Sequence, residues 1–398
     1  MPDEGPRPGP HAVVTPARAL AEAVVDLAAI GANVRTITAV AETPVLAVVK
    51  ANGFGHGAFE VARAALGAGA TWLGVTSATE ALALRSAGIG APVLSWLHRP
   101  DEDFTALIAA SVDIAVSTGS HLDAVARSAR DLGAPAVVQL KADTGLSRNG
   151  AVSADWSDLT SAARRYEIEG TVQVRAVWSH LTNAEVPDCP SIAQQVAAFE
   201  EAVRVARRAG LDPALLHLAN SAAALTAAET RYDLCRIGIA LYGVHPSQST
   251  RTSAVALRPA MTLRSTVVNV KRVPAGTSVS YGLRHVTDRS TTLALLPLGF
   301  GDGLPRTAEG RAAVQLAGTR RPIVGRIAMD QCVVDAGELS VALGDTVVVF
   351  GSDDDAAPDA APSVADWARW AGTNPHEILT GIGARVARRY VNTEATIV

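Results

Sequence analysis

Val45-Leu-Ala-Val-Val-Lys50-Ala-Asn-Gly-Phe-Gly-His-Gly57 begins as an apolar, β-branched run and ends among glycines. Such a run reads as a buried strand. It stops on Lys50, and Gly53, Gly55, His56 and Gly57 follow at once. Desolvation disfavours the ammonium form, so a lysine at the end of a buried strand is costly unless its amine is used. A neutral amine serves in a Schiff base or carries a proton. A lysine that has just left the core and points into water is the plainer alternative, and this stretch alone leaves both open.

Outward from it, strand and helix patterns alternate. Residues 18–40 read as a short strand and a helix. Strands are expected over 71–76, 92–97, 112–116, 136–141, 174–179, 215–219 and 234–237, and helices over 78–87, 121–132 and 191–209. Strands alternating with helices imply parallel βα units. About eight such units in about 240 residues fit an α/β fold of the (β/α)8 TIM-like barrel type better than an open sheet. Lys50, Lys141, Asp143, His180, Asn220, Ser221 and Arg236 all fall at or just past the C-terminal ends of expected strands. In a barrel those ends converge on one mouth, where the chemistry is done. Core packing alone does not produce such a series.

The texture changes near residue 256. Residues 261–271, 291–297, 313–316, 321–329, 331–334 and 346–350 read as short strands, with little helix signal before 363. The expected organisation is a tail over 1–17, a barrel over 18–255 and a mostly β C-terminal domain over 256–398. Residues 352–362 read as a solvated loop. Ser363, with Asp366 three residues on, marks a helix start.

The 398 residues exceed one compact core. A net charge of −4 with no basic stripe gives no support for a nucleic-acid partner. No run is apolar enough for a membrane span, and residues 1–17 lack the pattern of a signal peptide. Three cysteines, Cys189, Cys235 and Cys332, lie far apart with no metal-ligand spacing, which fits a reducing cytoplasmic compartment and no metal.

If the Lys50 amine forms a Schiff base, the expected cofactor is pyridoxal 5'-phosphate. Asn220-Ser221 and Arg236-Ile-Gly-Ile-Ala-Leu-Tyr-Gly243 follow the last barrel strands, where barrels build phosphate sites. Ser221 can offer its hydroxyl, and Gly238 and Ile239 their amides; alternatively Ser221 caps the helix expected over 222–228. Arg236 could face the ring nitrogen of such a cofactor. An arginine gives up no proton, so the nitrogen would stay unprotonated and the electron sink weak. A surface salt bridge is its plainer role. Arg148 stands near the mouth as a carboxylate or phenolate donor.

Together, Val49-Lys50-Ala-Asn-Gly-Phe-Gly-His-Gly57, Lys141-Ala-Asp-Thr-Gly-Leu-Ser-Arg148, Ser179-His180, His217-Leu-Ala-Asn-Ser221, Arg236 to Gly243, Ser280-Tyr281-Gly282, Gly301-Asp-Gly303 and Gly325-Arg-Ile-Ala-Met-Asp330 resemble the alanine racemase family over nearly the whole chain after the tail. The resemblance implies a pyridoxal phosphate barrel, a β domain and a head-to-tail homodimer sharing its sites. It implies that Lys50 holds the cofactor and acts as one base, and that Tyr281 of the partner subunit acts as the other. His180 and Arg236 would favour the Tyr281 phenolate. Arg148 and the Met329 backbone would hold the substrate carboxylate, with Asp330 on the same partner-supplied edge. Lys141 matches a lysine often carbamylated in the family. Glu185 and Arg306 match the substrate access path. Three departures stand out: Phe54, Phe300 and His376 replace the family's usual tyrosines, of which the first and last touch the cofactor phosphate. The function implied is racemisation of alanine, supplying D-alanine for peptidoglycan. The alternatives are a racemase for serine or another amino acid in a secondary pathway, and a non-catalytic cofactor-binding relative.

Overall fold

The computed structural model describes residues 19–186, 189–251, 255–351 and 358–393. The tail expected over 1–17, and 352–357 of the expected loop, lie outside the described residues.

The chain opens with β1 (Ala21–Asp26) and the helix Leu27–Ala41. Eight strands then form one parallel sheet: β2 (Val45–Val48), β3 (Trp72–Val75), β4 (Val93–Ser95), β5 (Asp113–Val116), β6 (Ala136–Lys141), β7 (Val172–Trp178), β8 (Leu215–His217) and β9 (Cys235–Ile237). Each pairs with the next from β2 to β8, and β9 returns to pair with β2. Across the remaining seam the Asp233 N–H donates to Leu216 O and the Arg236 N–H to Ala219 O, both at 3.0 Å. The result is a nearly closed (β/α)8 barrel. Its strands are short and apolar because both faces are covered; β2 and β5 are buried at every position.

Ten further strands follow: β10 (Met261–Thr266), β11 (Asn269–Val273), β12 (Ser278–Val279), β13 (His285–Val286), β14 (Thr291–Leu296), β15 (Ala313–Leu316), β16 (Thr319–Val324), β17 (Cys332–Gly337), β18 (Thr346–Phe350) and β19 (Ala387–Val391). Nine strands form a mixed sheet in the order β11-β14-β17-β16-β15-β18-β10-β1-β19. The strand expected over 321–329 stops at Val324, because Gly325 turns the chain at φ 70°. Ser363 and Asp366 form the expected capping box.

One pairing differs from the reading of residues 18–255 as a single barrel unit. β1 belongs to the C-terminal sheet, antiparallel to β10 and parallel to β19. Its alternation explains this: Ala21, Ala23 and Val25 are buried while Glu22, Val24 and Asp26 are half-buried. A one-sided strand suits a sheet with one covered face better than a barrel wall.

Candidate active site

Lys50 leaves β2 into a left-handed turn. Ala51, Asn52, Gly53, Phe54 and Gly55 have φ of 52°, 54°, 61°, 50° and 81°. A non-glycine residue in this region costs ~1–2 kcal/mol, so the surroundings must hold it. The Gly53 N–H donates to Val49 O at 2.9 Å, Gly55 to Ala51 O at 3.0 Å and Gly57 to Asn52 O at 2.8 Å. Glu80 accepts the Ala51 N–H at 2.7 Å with one oxygen and the Thr76 N–H at 2.8 Å with the other. From the far side the Arg388 Nε donates to Gly55 O at 3.0 Å.

The turn sets Lys50 and Phe54 on the wall of a cavity of about 290 Å³ at the C-terminal mouth of the barrel. Lys141, Arg148, His180, Asn220, Ser221, Arg236, Gly238, Ile239 and Glu185 share that wall. His376 joins it from the helix Pro375–Thr380. The wall thus carries four lysine or arginine side chains and one carboxylate.

Two aromatic residues that sequence reasoning missed organise these cations. Trp96, just past β4, and Trp178, at the end of β7, both line the cavity. The Lys50 Nζ stands 5.7 Å from the Trp96 ring centre. The Lys141 Nζ lies 4.3 Å, and the Arg236 Cζ 5.0 Å, from the Trp178 ring centre. Aromatic faces tolerate desolvated cations. The readable signal was an aromatic residue at or just past the C-terminal end of an expected strand, the same position that marked the lysines.

Burial, then Arg148, pulls the Lys50 amine below its ordinary pKa, against Glu80. Burial, with Arg236 and Arg148, brings Lys141 down to about 7. Burial brings Arg236 down to about 9, still a cation at neutrality. Arg236 donates to the Ser179 and Leu218 carbonyls at 2.7 and 2.9 Å and to His180 Nδ1 at 3.1 Å. It is therefore a buried hub and, among the described residues, makes no salt bridge.

One detail of the expected phosphate cradle differs. Asn220, not Ser221, caps the helix Ser221–Thr226, accepting from the Ala222 and Ala223 N–H groups at 3.1 Å each. The Gly238 N–H donates to Ser221 Oγ at 2.9 Å, which ties the two expected members of the cradle together. That bond uses a lone pair of Ser221 and leaves its proton to give. Ile239 opens a 3-10 turn, where an N–H has no partner within the turn.

Tyr281, Met329 and Asp330 are not on the cavity wall of this chain. Tyr281 is 69% exposed and Met329 57%, and Asp330 pairs with Arg385 at 2.7 Å. Phe300 and Arg306 line a separate depression beside Glu377.

An amine, an anion cradle and a cationic mouth on a parallel barrel, followed by a β domain, define a barrel enzyme that works on small anionic substrates. More narrowly, the chain belongs to the alanine racemase family, a family of isomerases: residues 25–246 match the family model for the alanine racemase N-terminal domain and residues 260–390 that for its C-terminal domain. It is 49% identical to the alanine racemase of Frankia casuarinae over 371 residues, 93% of this chain and 96% of that one. Among solved structures it resembles alanine racemase from D-cycloserine producing Streptomyces lavendulae, with 48% identity, a TM-score of 0.91, and 94% and 97% of the two chains covered. The alanine racemase of Bacillus anthracis with bound L-Ala-P is 31% identical, with a TM-score of 0.87 over 95% and 96% of the chains.

Proposed function

We propose that this protein interconverts L- and D-alanine with pyridoxal 5'-phosphate at the barrel mouth, as a homodimer in which each site takes its second base from the partner subunit. The observation that carries the reading is the cavity wall itself: four cations against one carboxylate, with Lys50 among them. That donor set fits one phosphate and one carboxylate in the same cavity. Its similarity to enzymes named alanine racemase supplies the substrate.

The Ser221 hydroxyl and the Ile239 N–H would hold the phosphate, and Lys50 would hold the group covalently. Bound pyridoxal phosphate draws electrons from the substrate α-carbon and so acidifies its proton. The lowered Lys50 amine suits taking that proton on one face or returning it. Tyr281 of the partner subunit serves the opposite face, which is why its exposure on a single chain supports the dimer. Arg148 pairs with the substrate carboxylate. Lys141, near 7, is partly a neutral amine at neutrality, the form that captures carbon dioxide. A carbamate there would give Arg148 an anion to lean on. Arg236, donor-only, would face the ring nitrogen of the bound group and favour its unprotonated form, which would limit side chemistry. Among the described residues no helix is long and apolar enough to cross a membrane. A cytoplasmic role in supplying D-alanine for peptidoglycan follows from the same reading.

Mixing inactive variants tests the shared site. Lys50→Ala and Tyr281→Phe homodimers should each be dead. Random re-pairing makes about half the dimers mixed, and each mixed dimer regains one intact site, so about a quarter of wild-type activity should return. No recovery after verified subunit exchange would reject the shared site. Borohydride reduction with the cofactor present should mark Lys50; a mark on another lysine would reject the amine assignment.

A further inference from the structure

Arg236 is a cation buried to 5% exposure, and among the described residues no carboxylate lies within ion-pair distance of it. An uncompensated buried charge is strongly destabilising. Its compensation runs inward through the barrel. The Arg236 Nη1 contacts His217 Nδ1 at 3.1 Å, His217 Nε2 contacts Gln139 Oε1 at 2.8 Å, and Gln139 Nε2 contacts Asp113 Oδ2 at 2.8 Å. The other Asp113 oxygen accepts from Arg175 Nη1 at 3.0 Å. Gln139 and His217 are fully buried and Asp113 is 2% exposed.

The direction of this chain is set from both ends. An ionised carboxylate only accepts, so Gln139 must turn its NH2 to Asp113 and its oxygen to His217. His217 must then carry its proton on Nε2, which leaves Nδ1 bare. An arginine only donates, so it requires that same bare Nδ1. Stacking on Trp178, with ring centres 5.4 Å apart and planes 8° apart, keeps the His217 ring in place. The chain crosses from Asp113, the first residue of β5, to Arg236 in β9 at the mouth.

We propose that Asp113, at the end of the barrel away from the site, is a positioning residue: through Gln139 and His217 it fixes the His217 tautomer and thereby the seat of the Arg236 guanidinium at the mouth. The proposal rests on the reading that Arg236 faces the cofactor. Polarised chains of this kind gain from cooperativity and lose steeply when one link is reversed. In an Asp113→Asn chain the Gln139 amide is free to turn over, presenting NH2 to His217 Nε2. That demands the Nδ1–H tautomer, which points a hydrogen at a donor-only arginine.

The test uses full-length dimer carrying 15N-labelled histidine, with the His217 signals assigned by their loss in His217→Gln. Wild type should show a single Nε2–H tautomer. Asp113→Asn should show mixed tautomers and a kcat for racemisation lower by on the order of tenfold, with KM within about twofold. Should Asp113→Asn fail to fold, Asp113→Ala leaves the Gln139 amide equally free to turn over and should give the same two changes. Arg175→Lys, which keeps a cation beside the outer Asp113 oxygen, should leave tautomer and kcat as in wild type. An unmoved tautomer, or an unmoved kcat, in a folded Asp113→Asn or Asp113→Ala protein overturns the proposal. The tautomer is read without turnover, so a wild type that fails to bind the cofactor would sink the functional reading while leaving this measurement intact.

Discussion

Phe54 lies against Tyr242, with ring centres 4.7 Å apart and planes 21° apart, and its Cζ points past Gly238, where a Cβ would stand 3.2 Å away. A hydroxyl on that carbon would reach towards the anion cradle. Phe54→Tyr should therefore tighten pyridoxal phosphate binding by about 0.5–1.5 kcal/mol, or roughly two- to tenfold. Fluorescence titration of apoprotein measures this. Equal affinities would mean that the ring end does not face the phosphate.

Gly55 holds the Lys50 turn against the C-terminal helix, since a Cβ there would meet the Leu379 carbonyl oxygen at 2.4 Å. Its φ of 81° adds backbone strain for any other residue. Gly55→Ala should cost at least about 2 kcal/mol and weaken cofactor binding, because Leu379 shares its helix with His376. Gly69, at φ 106° with nothing within 4 Å, isolates the backbone part, and Gly69→Ala should cost only about 1 kcal/mol. Equal losses in chemical denaturation would rule out the clash.

Burial holds the His56 pKa down at about 4, with its ring packed 4.5 Å from Tyr242. Unfolded, this imidazole takes a proton near pH 6.5; folded, it refuses one until about pH 4. Stability is thus full above about 6.5 and is lost as pH falls towards 4, by on the order of 3 kcal/mol for this residue. His121, also lowered to about 4 by burial, adds to the loss. Asp113, raised to about 6 by burial, works the other way between about 6 and 3.8, against these two and the likewise lowered His98, His180, His217 and His376. Urea midpoints at fixed protein concentration should fall between pH 6.5 and 4.5, and His56→Gln should flatten the slope. A parallel slope in the variant would remove His56 as a source.

His376 tilts over Phe54 with ring centres 5.7 Å apart and is itself on the cavity wall. His376→Tyr adds bulk there, so the kcat/KM ratio of alanine to serine should rise by about tenfold, within the 1–3 kcal/mol that a changed pocket wall is worth. Unchanged selectivity would separate His376 from substrate choice.

The barrel and the β domain were legible because local pattern governs both: short apolar runs alternating with helices in the first, and short strands separated by turns in the second. Lys50, Lys141, Arg236 and Ser221 were legible because strand ends in a barrel meet. What was not legible depends on partners distant in sequence. β1 joins strands more than 200 residues away. Trp96 and Trp178 become cation platforms only once neighbouring strands set their lysines and arginine over them. Gln139 and Asp113 look like ordinary strand residues until β5, β6, β8 and β9 enclose them. Tyr281 has no visible task within one chain.

The place of β1 bears on how the protein is made. Its neighbours are β10 and β19, so this strand can dock on one side only after the whole barrel has been synthesised, and on the other only when Ala387–Val391 appears. The β domain is therefore sealed by the two ends of the chain, with the barrel as an insertion between them. Its completion waits on pairings of high contact order. A nascent chain stalled before residue 387 would expose the unpaired edge of its own first strand, the surface on which such chains aggregate.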